Sequence, residues 1–129
     1  MMPLEFLAAG GLLAAAIALI HIATTRNAIG SAGLAAALCG LFAGYSAVTI
    51  AREGVMPVWV NHTSNLWGVQ VWWDLLFAVG LAAFFIVPRA RAQNMAIIPW
   101  LLFVAATASI GLLAMVARLF WLEKRAKTA

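Results

Sequence analysis

At 129 residues, 66% hydrophobic and 9% charged, with a mean hydropathy of +1.02, the chain carries more apolar side chain than a soluble core of this length can hide. A soluble globular domain is excluded and a bilayer is the expected solvent. The net charge of +4 comes from eight Lys and Arg against four acids, set mostly between apolar runs or in the final EKRAKTA; they fix helix ends at head-group level, and a nucleic-acid partner is not expected.

The opening MMPLEFLAAGG has no basic segment ahead of its apolar stretch. Glu5 at the front, and a polar break at TTRN without an A-x-A pattern, predict a retained first span rather than a cleaved leader. That span covers 4–23, about 20 residues and long enough to cross a hydrocarbon core of about 30 Å. Near its end stands His21, on a face with Gly10, Ala14 and Ile17. Small neighbours suit a porphyrin, which makes a haem ligand the sharp reading of His21. Its one potential His partner, His62, falls on the opposite side of the membrane in the expected topology, so no haem and no other cofactor is expected, and His21 reads as an interfacial residue bonded to a neighbouring helix.

The second span covers 29–51 and repeats small residues in a 3-4 rhythm: Gly30, Gly33, Ala37, Gly40, Gly44, Ala47 and Ala51. Such a stripe lets a second backbone approach closely, which in lipid supplies contact where the hydrophobic effect cannot. Gly33, Ala37, Gly40, Gly44 and Ala47 are therefore the expected helix-packing residues. Cys39, the one cysteine, excludes an internal disulfide and any multi-Cys metal site, and in this apolar run it reads as a small core residue.

Arg52-Glu53-Gly54 and Pro57 break the helix, and 52–63 is expected to be a loop with Val58-Trp59-Val60 lying flat at the interface. Asn61-His62-Thr63 has the form of a glycosylation sequon, a pattern common by chance. The third span is expected over 64–87, with Trp67, Trp72 and Trp73 in its first turns as an aromatic belt. A short basic turn from Pro88 to Asn94 leads to the fourth span, 96–122, which opens on Pro99 and Trp100 and closes on Trp121. Trp100, Val104, Thr107, Gly111, Ala114 and Arg118 fall on one stripe of that helix, where Thr107 is expected to bond its own backbone carbonyl. The fold class predicted is all-α, a single integral membrane bundle of four transmembrane helices, residues 1–129.

Four crossings put the N-terminus, the 52–63 loop and the tail on one side, and the two compact turns on the other. Arg52, Lys124, Arg125 and Lys127 then face Arg26, Arg89 and Arg91, a split too even to orient the bundle; the expectation leans to the compact turns outside and the tail inside.

Val55–Asp74 is the most informative stretch, holding four of the six Trp together with Asn61, His62, Asn65 and Gln70. Asp74 falls inside the third span, where an acid costs about 2.5–3.5 kcal/mol without a partner or water. Arg118, expected at similar depth on the fourth span, is its predicted ion partner. Gln70, one turn earlier, would complete its hydrogen bonds. Glu5, Tyr45, Thr49, Asn61 and His62 share that end, so a polar pocket walled by Trp67, Trp72 or Trp73 is predicted, binding a small amphiphile, lipid head group or ion. A purely structural Asp74–Arg118 staple is the competing reading. An Arg118 that snorkels to the surface would leave Asp74 unpaired.

Motifs of soluble chemistry are absent: no G-x-x-x-x-G-K-[ST], H-E-x-x-H, C-x-x-C or G-x-S-x-G occurs. No catalytic or metal-binding residue is expected, and an enzyme on a lipid or isoprenoid substrate is the least favoured class. Two non-enzymatic functions are expected ahead of it. One binds or passes a small amphipathic or charged ligand at Asp74; the other is an accessory subunit docking on a larger membrane complex through the small-residue face of the second span or the Trp-rich loop, and the partners expected are membrane lipids and either a homo-oligomer or such a complex.

Trp73-Asp74-Leu75-Leu76, the basic Arg89-Ala90-Arg91 followed by Asn94-Met95, then Trp100, Gly111, Arg118 and Glu123, resemble the paired helices of a family of small bacterial inner-membrane proteins grouped as a domain of unknown function. The resemblance covers about half the chain. It implies a small helical protein of the bacterial inner membrane and adds no activity. The chain departs from the pattern near the end, where Ala117-Arg118-Leu119-Phe120 stands in place of a Pro-Leu pair.

Overall fold

A computed structural model describes residues 3–129. Among them the chain forms six helices and no strand, and contacts group it into two units, Met1–Gly30 and Ser31–Ala129.

In the first unit, α1 (Pro3–Thr24) is a 22-residue helix with Glu5 in its first turn and His21 in its last, the arrangement that complements the helix dipole. Thr25 N–H bonds His21 O at 3.0 Å and Thr24 Oγ1 donates to Ile20 O at 2.7 Å, which occupies the last carbonyls.

The second unit contains α2 (Ala32–Glu53), α3 (Met56–Thr63), α4 (Leu66–Ala92), α5 (Ile97–Thr107) and α6 (Ser109–Thr128). Caps fix the boundaries. Ser31 Oγ accepts from Leu34 N–H at 3.1 Å and starts α2. Gly54, at φ 78°, ends that helix with its N–H on Ile50 O. Asn65 Oδ1 accepts from Gly68 N–H at 2.7 Å and starts α4. Each is a side chain or glycine meeting an orphan backbone group.

Three helices, α1, α2 and α4, are long and apolar enough to cross a membrane, which is compatible with a membrane protein. Four were expected, and the fourth fails because its helix reverses. Residue Ala108 takes φ 54° and ψ −110°, so α5 ends after 11 residues and α6 begins with no linker. The reversal is tight. A Cβ on Gly111 would lie 2.8 Å from both the backbone N and the Cα of Val104, seven residues earlier; along a straight helix seven residues span about 10 Å. Thr107 stitches the bend, donating to Phe103 O and accepting from Gly111 N–H, both at 2.8 Å. The expected Thr107 backbone bond is thus present, and the same hydroxyl also supplies the cap that Ala108 lacks.

Two further departures follow from local chemistry. The expected 52–63 loop contains a helix, α3, with Pro57 in its first turn where the missing N–H costs nothing. It folds onto the start of α4, with Trp59 edge-on to Trp72 at 6.1 Å and Gly68 under the backbone of Asn61 and His62, where a Cβ would clash. At its far end α4 runs past Pro88 to Ala92. Pro88 cannot donate to the carbonyl one turn back, yet Ala90 is fully buried on the other side and holds the last turn in place. The helix then stops at Asn94, φ 59°, with Asn94 N–H on Arg91 O and Met95 N–H on Ala90 O, each at 3.0 Å. That paired bonding is the left-handed C-terminal stop that Asn tolerates.

The core of this unit is small. Ala90, Val104, Met115 and Leu119 are buried together, with Val79, Ile86, Met95, Ile97 and Trp100 packed around them. Helix α6 is its centre, in contact with α2, α4 and α5. Most other large apolar side chains are exposed, including Leu81, Phe84 and Phe85, as suits a surface solvated by lipid.

Candidate functional site

Asp74 lies eight residues into α4, about 12 Å along its axis. Its side chain is exposed and has no hydrogen-bonding or ionic partner among the described residues. Gln70, one turn earlier, is also exposed. Trp73 leans edge-on against Phe77 at 5.5 Å and, like Trp67, is largely exposed. The face around the acid is therefore exposed and aromatic.

The predicted Asp74–Arg118 pair does not form. Its premise was an unbroken fourth helix running back toward the start of the third, and the reversal at Ala108 sends α6 the other way. The Arg89 guanidinium donates to both carboxylate oxygens of Glu123, at 3.0 Å from Nε and 2.5 Å from Nη2. The C-terminal ends of α4 and α6 are thereby joined. Asp74 stands fifteen residues before Arg89, about 22 Å back along α4, and Arg118 five residues before Glu123, about 7 Å back along α6. Arg118 instead stacks on Trp121, 4.7 Å from the ring centroid.

The other residues expected around Asp74 have their own partners. His62 donates from Nδ1 to Val58 O at 2.6 Å and tilts against Trp72 at 5.3 Å, which ties it to the α3–α4 corner. Tyr45 stacks on Phe42 of its own helix. Thr49 bonds Tyr45 O. Glu5 and His21 belong to the first unit. A shallow apolar hollow on α5, lined by Ala96, Pro99, Trp100 and Phe103, does not include Asp74.

On α2, the face turned inward is not the small-residue stripe. Ala35 is buried and Leu38, Cys39, Ala43 and Ser46 are half-buried at 3-4 spacing, and the Cys39 thiol donates to Ile110 O of α6 at 3.4 Å. Gly33, Ala37, Gly40, Gly44 and Ala47 are exposed, and a Cβ on Gly40 or Gly44 would meet open space. The stripe is a close-approach surface left unused within the unit.

Sequence reasoning names Glu123 only within the family resemblance and misses its pairing with Arg89. Glu123 is the one acid after Asp74, so it is the natural partner for Arg89 or Arg91 once the tail returns to their end. The pair is partly exposed, at 40% for Arg89 and 16% for Glu123. Solvent screening and bidentate geometry together suggest about 1–2 kcal/mol for it. A double-mutant cycle of Arg89→Gln and Glu123→Gln, read by unfolding in detergent, is expected to give a coupling of that size. Additive losses would show the two helix ends to be unpaired in solution.

The chain matches no family model, no curated protein and no solved structure.

Proposed function

We propose that this is a non-enzymatic integral membrane protein, of the bacterial inner membrane by the resemblance of its α4–α6 sequence, and that it serves as an accessory subunit of a larger membrane complex. The observation that carries the reading is Asp74: a carboxylate about 12 Å into an apolar helix, exposed and without a partner among the described residues. An acid left in hydrocarbon costs about 2.5–3.5 kcal/mol, a cost removed by a Lys or Arg from another membrane helix. An exposed face suits a helix-borne cation better than a small ligand, which is held best where most of its surface is buried. The unused small-residue face of α2 supports the same reading, since it admits a second helix at close range.

The test is extraction of the full-length protein from its native membrane in mild detergent. A stoichiometric partner is expected to copurify, and Asp74→Asn should reduce its recovery at least about tenfold, equivalent to about 1.4 kcal/mol, while leaving the protein's own unfolding transition in place. Copurification indifferent to Asp74→Asn would refute the role given to this acid. A second reading rests on the same exposed carboxylate, namely a small amphipathic or charged ligand held at Asp74 beside Trp73. Binding of a cationic amphiphile by the isolated, monodisperse protein, lost in Asp74→Asn, would favour it over the subunit reading.

A further inference from the structure

The Arg89–Glu123 junction gathers the basic residues of the second unit at one end. Arg91 is in the last turn of α4, and Arg118, Lys124, Arg125 and Lys127 are on the second half of α6. All five are exposed. Glu123, the acid of this end, is already engaged on both oxygens by Arg89, and none of the five forms an ion pair among the described residues. Arg118 and Arg125 stand two turns apart on α6 with Trp121 between them, and both guanidiniums lie 4.7 Å from its ring centroid. The inner side of the same stretch is apolar and packed, with Met115 and Leu119 buried. An exposed indole held between two guanidiniums, on a helix that passes from apolar to charged residues, is the arrangement of a segment at the boundary between hydrocarbon and head groups.

We infer that the outer face of α6, from Arg118 to Lys127, binds the phosphates of anionic lipids in the leaflet that it meets. Charge complementarity selects this occupant. Four cations without an ion partner on one helix, Arg118, Lys124, Arg125 and Lys127, attract anionic head groups, and each guanidinium offers paired N–H donors matched to phosphate oxygens. The apolar flank of Trp121 brings the same patch down to acyl-chain level, so a lipid satisfies both parts of it at once.

The experiment uses the full-length protein in phosphatidylcholine vesicles containing either dibrominated phosphatidylglycerol or dibrominated phosphatidylcholine at equal mole fraction. The emission of Trp121 is taken as the difference between wild type and Trp121→Phe. At low ionic strength, quenching should show about fivefold enrichment of the brominated anionic lipid over the zwitterionic one, as much as one basic residue at such a surface sustains. The preference should fall toward unity in high salt, where the screening length shrinks to a few ångströms. It should fall likewise in Lys124→Gln/Arg125→Gln/Lys127→Gln, whose side chains are all exposed and outside the core. Equal quenching by the two lipids, or a preference that survives both the salt and the triple change, overturns the inference. So does a Trp121 that neither lipid quenches.

Discussion

Gly111→Val is expected to unfold the α5–α6 hairpin, at about 3 kcal/mol or more and with a visible change in where the tail emerges. Even the first carbon of the new side chain would sit 2.8 Å from the backbone of Val104 and 2.7 Å from Thr107 Oγ1. Backbone cannot rotate away as a side-chain end can, so the bend must open, and overpacking of this kind lies at or above the usual 1–3 kcal/mol. Opening also exposes the Gly111 N–H that Thr107 satisfies, a loss made worse where no water can replace the hydroxyl. Thermal unfolding in detergent measures the first effect. Site-directed labelling in a Cys39→Ser background measures the second. In the native hairpin Lys127→Cys should react from the same side of the membrane as Arg91→Cys, and adding Gly111→Val should move the tail label toward the other side as α5 and α6 straighten into one crossing. Same-side labelling that persists in Gly111→Val, with an unchanged unfolding transition, would mean that the bend is not built on this glycine.

Leu119→Ala is expected to cost about 2–3 kcal/mol, and Leu102→Ala less than about 0.5 kcal/mol, although both remove the same atoms from apolar surroundings. Leu119 is fully buried among Ala90, Val104 and Met115, whereas Leu102 is 66% exposed on α5. In a bilayer the exposed leucine already touches lipid chains, so truncating it exchanges one hydrocarbon contact for another. The buried one has only protein neighbours. Its removal leaves a cavity that the helices cannot refill without moving, and the lost term is packing rather than transfer from water. Parallel unfolding titrations of the two variants decide the matter, and equal losses would show that α6 is not the centre of the packed unit.

What the sequence made legible is the part governed by composition and local signals. Apolar run length found α1, α2 and α4 to within a few residues, because hydrocarbon thickness sets that length and the polar residues at TTRN, REG and NHTSN mark the ends. Caps such as Ser31 and Asn65 moved each start by only two or three residues. The α5–α6 reversal was not legible, because Val-Ala-Ala-Thr-Ala-Ser-Ile-Gly reads as an uninterrupted membrane helix by hydropathy. Its signals are a hydroxyl that bonds backward to Phe103 and forward to Gly111, and a glycine whose purpose shows only when Val104 is seen against it. Every site assignment that depended on the fourth helix being straight moved with it. Asp74 could be singled out from sequence as the unusual group, since its expected cost depends only on its place along an apolar run. Its partner was not readable, because ion pairing depends on which ends meet, and here Arg89 and Glu123 take each other.

A hairpin that enters and leaves by one face adds nothing to the parity of crossings. With α5 only 11 residues long, about 16 Å against a hydrocarbon layer of about 30 Å, the segment preceding α2 and the end of α6 share a compartment if α2 and α4 each traverse. Arg89, Arg91, Arg118, Lys124, Arg125 and Lys127 then lie toward that compartment, and of the second unit's cations only Arg52 lies toward the other. A six-to-one imbalance is the kind to which the positive-inside rule responds. Straightened, the same sequence would divide those charges between both faces; the bend at Ala108 is thus also what keeps them together.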